Sequence, residues 1–135
     1  MISIDEAEKI LDEIAVGLPE GIFEELNGGI ILLPEAKRDP MSRKNDDLYI
    51  LGEYHSDGSL GRYISIYYGS FERLFGTMSR STFKKELEIT LKHEFTHHLE
   101  SLAGERDLEK EDDRFMQDYL YGRGWQVRRR RLKRR

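Results

Sequence analysis

The chain has 135 residues, 38% apolar and 36% charged, a composition expected of one modest water-soluble domain, and no segment approaches the length of a membrane-spanning helix. It contains no cysteine, which rules out disulfides and thiolate ligands and leaves His, Asp and Glu to hold any metal. The net charge of −4 conceals a division: Arg128 to Arg135 carries seven basic residues in eight, and the remainder has 15 basic against 26 acidic residues, a balance of −11.

In chain order, Ser3 followed by Glu6 forms a capping box, and Ala7, Ile10, Leu11, Ile14 and Leu18 recur at helical spacing. The first helix is expected from about Ile4 to Gly17, stopped by Leu18-Pro19. After a turn at Asn27-Gly28-Gly29, the apolar run Ile30 to Leu33 predicts a strand buried on both faces. Glu35 to Asp47 reads as a polar loop without regular structure, and Leu48 to Tyr54 as a second strand. Ser56 to Ser59 signals a turn into a third strand, Arg62 to Tyr68, with His55 in a turn-rich loop. Gly69 to Gly76 suggests a short helix or turn. A long helix follows, capped by Ser81 or Thr82 and ending near Ala103 with Gly104 as its C-cap. Asp107 starts a final helix to about Tyr121. The domain therefore covers residues 1–124, and 125–135 is a basic tail with too few apolar residues to fold alone.

The long helix carries His93-Glu94-Phe95-Thr96-His97, the pattern H-E-x-x-H. Residues i and i+4 lie one turn apart on one helix face, so His93 and His97 can aim both imidazoles at one ion. Neutral imidazole suits zinc, and a catalytic zinc site adds one further protein ligand and a water whose pKa falls to roughly 7. Glu94 lies about 100° round the helix from His93, placed beside such an ion as a general base. Phe83, Leu87, Leu91, Phe95, Leu99 and Leu102 occupy an arc of about 160°, the breadth of a core-facing stripe; Glu94 and His98 fall inside it, as do Lys84 and Glu88 in the first two turns, where the helix is expected to project beyond the core. A carboxylate on an apolar face is costly unless paired or working. The bland alternative is an amphipathic helix with two surface histidines.

The order of elements, together with Leu51-Gly52-Glu53-Tyr54, Ile64-Ser65-Ile66-Tyr67 and His-Glu-x-x-His-His at 93–98, resembles the minimal zincins, a family of small bacterial proteins classed as zinc metallopeptidases. The resemblance implies an α+β, zincin-like fold. It would have an N-terminal helix, a small mixed sheet of three to four strands, an active-site helix and a C-terminal helix. It also implies that the strand before the active-site helix offers its edge to an extended peptide.

The family continues the motif as H-E-x-x-H-H-x-G-x-x-D, whereas this chain has Glu100 at the glycine position and G-x-x-D four residues later, as Gly104-Glu105-Arg106-Asp107. Asp107 is accordingly the expected third ligand. Glu100 is the rival, at i, i+4, i+7 with His93 and His97, but it starts roughly 10 Å along the axis from His93 and suits a tetrahedral ion poorly. His98, four residues from Glu94, either serves the site, by orienting that base, contacting substrate or standing in as a ligand, or is a satisfied core histidine. Tyr67 and Tyr68, read as ending an edge strand, are weighed as oxyanion donors against ordinary strand aromatics.

The expected activity is Zn2+-dependent hydrolysis of peptide bonds, with short or unfolded peptides as substrates. The alternative is a non-catalytic interaction protein on the same scaffold, acting through its acidic surface or basic tail. The tail is also a weak site for anionic partners. A monomer in the cytoplasm is expected, since Met1 to Glu6 lacks the pattern of a signal peptide.

Overall fold

The computed structural model describes residues 1–40, 48–57, 61–105 and 132–134. Its elements are α1 (Ile4–Val16), a 3-10 turn (Glu20–Phe23), β1 (Gly29–Leu33), β2 (Lys37–Arg38), β3 (Tyr49–Asp57), β4 (Gly61–Tyr67), α2 (Tyr68–Phe75), α3 (Arg80–Glu105) and β5 (Leu132–Arg134). This is an α+β protein with a mixed sheet. The expected final helix lies outside the described residues. Among the described residues no helix is long and apolar enough to cross a membrane.

Local chemistry explains the helices. Ser3 Oγ accepts the Glu6 N–H at 3.1 Å, and α1 ends where the Gly17 N–H returns to Ile14 O at 3.0 Å. Ser79, two residues ahead of the expected caps, starts α3: its Oγ accepts the Thr82 N–H at 3.3 Å and its carbonyl accepts the Phe83 N–H. At the other end α3 runs through Gly104 to Glu105, so Gly104 is a helical residue and not a C-cap. A glycine inside a helix costs less than about 1 kcal/mol relative to alanine, which one more turn of helix tolerates.

The sheet order is β1-β4-β3-β2, with β5 also paired to β3. β1 runs parallel to β4 from Gly29↔Tyr63 to Leu33↔Tyr67, and β3 is antiparallel to β4 from Gly52↔Ile66 to Asp57↔Gly61. Three expectations change here. β4 is hydrogen-bonded on both sides and has no edge to offer a peptide. β1 is the outer strand, with Ile31 40% exposed, so it is not buried on both faces. Residues 35–40 are not all loop, because Lys37 and Arg38 pair with Ile50 and Tyr49 of β3. Gly69 makes that approach possible: its N–H donates to Glu35 O at 3.0 Å, and a Cβ there would stand 2.4 Å from Ala36 N.

The core lies between the sheet and the helices, built from Ile10 and Ile14 of α1, Ile64 and Ile66 of β4, and Leu87, Leu91, Phe95 and Leu99 of α3. Phe71 of α2 joins it, with its ring 5.7 Å from that of Phe83. Outside the core Arg80 pairs with Glu6 and Glu13, and Lys84 with Glu13, tying α1 to α3. Leu132–Arg134, inside the tail expected to lack regular structure, run parallel to β3.

Candidate metal site and cavity

α3 packs tightly on the sheet at Gly52, where an added Cβ would meet Thr90 Cγ2 at 3.0 Å, Ile66 Cδ1 at 3.2 Å and Ser65 O at 3.2 Å. This contact sets the rotation of the helix. Glu86, Thr90 and Glu94, spaced by four, are buried against the sheet, and the stripe of Phe83, Leu87, Leu91 and Phe95 is buried beside them. His93, one position before Glu94, and His97, three after it, lie at the margin of this buried face and are both half-buried. Their ring centroids stand 4.9 Å apart with planes at 89°.

The two imidazoles are thus neighbours on one face, with a fully buried Glu94 carboxylate beginning between them in sequence. His97 Nδ1 is 3.7 Å from Glu100 Oε2, beyond hydrogen-bond length but within reach of an ion pair when the ring is protonated. Glu100 itself is exposed, its side chain 60% accessible. Among the described residues no group of three or more His, Asp or Glu converges as a metal cage. Asp107, the expected third ligand, lies outside the described residues.

His98 is turned inward, and both of its ring nitrogens are taken. Its Nε2 is 2.7 Å from the carbonyl of Glu24 and its Nδ1 2.8 Å from the hydroxyl of Tyr54. A carbonyl only accepts, so Nε2 carries the proton and Nδ1 accepts from Tyr54 in the neutral ring. Burial holds its pKa below the usual histidine range, against the opposing pull of the Glu24 carbonyl. Of the two roles open to His98, the structure assigns the satisfied core histidine.

A cavity of about 520 Å³ opens beside His97, lined by Tyr54, Ser56, Glu100 and Ser101. Tyr54 and Ser56 come from β3, which extends through Asp57 where a turn is expected. Sequence patterning missed this wall because His55, Ser56 and Asp57 are poor strand formers; their pairing to Tyr63, Arg62 and Gly61 overrides propensity.

The opposite face of the sheet carries a second polar group. Lys37 Nζ bridges Glu53 Oε1 and, at 3.4 Å, the Tyr67 hydroxyl, which donates to Glu53 Oε1 at 2.6 Å. Burial works to raise the Glu53 pKa, but the Lys37 and Tyr67 hydrogen bonds outweigh it and hold it low. Burial, then Glu53, pushes Tyr67 up to about 12. The Tyr68 hydroxyl donates to Ile2 O at 2.5 Å. Both tyrosine hydroxyls are committed to structural partners, so neither serves as the weighed oxyanion donor. His55 stacks on Tyr63 at 4.4 Å with Nε2 3.0 Å from Ser65 Oγ.

No protein-family model and no curated protein matches the chain. Among solved structures it is similar to a conserved hypothetical protein from Thermus thermophilus, with 31% identity and a TM-score of 0.65, over 77% of this chain and 100% of the other. The chain belongs to the family of that protein. The relative fits wholly within this sequence, and the similarity supports the α+β architecture; the chemistry rests on the residues themselves.

Proposed function

We propose that the protein is a zincin-like, zinc-dependent peptidase. The observation carrying this reading is the perpendicular His93–His97 pair, 4.9 Å between centroids, beside a cavity and next to the buried carboxylate of Glu94. Two neutral imidazoles are a fitting donor set for zinc, and Asp107 is the proposed third ligand. Zinc, when bound, supplies Lewis acidity toward a scissile carbonyl and a lowered water pKa. Glu94, held out of bulk solvent on a rigid helix, takes the proton of the attacking water and returns it to the leaving amine. Glu100 lies 3.7 Å from His97 Nδ1 and, by closing to hydrogen-bond length, would orient that ring and leave Nε2 to face an ion. Tyr54, Ser56 and Ser101 form a shallow wall suited to an extended, unfolded peptide.

The test is metal content of protein purified without added zinc, in wild type, His93→Ala, His97→Ala, Asp107→Ala and Glu100→Ala, with hydrolysis of unstructured peptides read in parallel. The expected result is about one zinc per chain, lost in both histidine variants and in Asp107→Ala. A wild type that takes up no metal from zinc-replete buffer sinks the proposal. In its place would stand an interaction protein on the same scaffold, a reading that draws on the pairing of the basic tail with β3.

A further inference from the structure

Leu132–Arg134 pair with β3 through Tyr49↔Leu132, Ile50↔Lys133 and Gly52↔Arg134, with an irregularity between Ile50 and Gly52. The strands are parallel, so the basic segment advances in the same direction as β3, toward Tyr54 and Ser56 and the cavity they line. β5 also lies against α3, whose sheet-facing side carries the buried carboxylates Glu86 and Glu94 two turns apart. Beyond them Glu100 borders the cavity. The chain outside the basic run carries a balance of −11, and the run itself has seven basic residues in eight.

We propose that β3 beside α3 is a docking rail for an extended basic peptide running parallel to it, and that Leu132–Arg134 occupy this rail as an exchangeable, intramolecular ligand. Main-chain hydrogen bonds of a sheet edge accept any extended backbone; the carboxylates of α3 favour Lys and Arg on the helix side, against the opposing charge of Lys37 and Arg38 of β2, which pair with the same two residues of β3. A three-residue ladder with a register irregularity is a weak hold. About 75 residues separate its two strands, so the advantage of being tethered is modest and a free peptide of like composition competes. The partner this surface fits is a segment with an apolar strand former among Lys and Arg, as in the chain's own sequence. The inference does not depend on peptidase activity.

The experiment uses the full-length chain, wild type and Leu132→Pro/Lys133→Pro, with a fluorescent octapeptide of the sequence of residues 128–135 and binding read by anisotropy. Proline removes the amide donors that β5 brings to the ladder and empties the rail. The variant is expected to bind the octapeptide at least tenfold more tightly than wild type. An octapeptide N-methylated at the amides of positions 132–134 keeps every charge, and it is expected to bind the variant at least tenfold more weakly than the parent. Equal binding by the two proteins, or equal binding of the two peptides, overturns the proposal, the second by reducing the attraction to charge alone. Should the variant fail to fold, the two peptides titrated against wild type carry the same decision: tenfold discrimination supports strand addition and none overturns it.

Discussion

Tyr54 on β3 and His98 on α3 share a 2.8 Å hydrogen bond that, with the 2.7 Å contact from His98 to Glu24 O, fixes one neutral tautomer inside the protein. The pKa of His98 is depressed, so the unfolded chain binds a proton more readily than the folded one. His55 is depressed too, again chiefly by burial. The stability held in these two rings is complete above the ordinary value near 6.5 and is lost as pH falls through the folded pKa values. Thermal melts from pH 7.5 to pH 5 are expected to shift downward by a few degrees. His98→Gln should lower stability by about 1–3 kcal/mol at pH 7.5 and flatten part of this slope. An unchanged slope in that variant would remove His98 from the account.

Gly52 offers a packing test. The three heavy atoms within 3.2 Å of an added Cβ belong to a helix and a neighbouring strand, which yield poorly. Gly52→Ala is expected to cost about 1–3 kcal/mol in urea unfolding through overpacking. A loss below about 0.5 kcal/mol would mean that α3 moves away freely.

For the candidate site, Glu94→Gln removes the base while leaving both imidazoles in place. Metal content should match wild type, and any hydrolytic rate should fall by about 10²–10⁴-fold. Glu100→Gln should retain metal but bind it about 10–100-fold more weakly, the usual consequence of losing a carboxylate that orients a ligating histidine. Complete metal loss in Glu100→Gln would make Glu100 a ligand itself.

On the other sheet face, Tyr67 keeps its proton up to about pH 12 in the folded chain against an ordinary value of 10.0. Its contribution is therefore fully present below pH 10 and is lost as pH rises toward 12. Unfolding free energy measured over that window should fall less steeply in Tyr67→Phe than in wild type. Parallel slopes would show that the Lys37, Glu53 and Tyr67 cluster does not hold the phenol neutral.

Much of this was legible in the sequence where one physical signal dominates. α1 and α3 follow from helical periodicity and a hydroxyl near the expected cap, and the placement of His93 and His97 on one helix face follows from i, i+4 spacing alone. What could not be read came from pairing between distant segments. Lys37 and Arg38 form a strand only because Ile50 and Tyr49 lie beside them, and His55 to Asp57 only because β4 does. Whether β4 lies inside the sheet or at its edge depends on β1 pairing in parallel, which no local pattern encodes. His98 had two readings from sequence, and what decides between them is a carbonyl 74 residues away.

The contact at Gly52 also determines the shape of the cavity. With no side chain to hold them apart, α3 and β3 touch at Thr90 and Gly52; about two to three turns of helix later, Tyr54 and Ser56 of the strand and His97 and Ser101 of the helix line a space of about 520 Å³. A methyl added at Gly52 would press α3 and β3 apart at one end while the Tyr54–His98 hydrogen bond still ties them at the other, so the shape of this shallow space answers to a residue that does not line it.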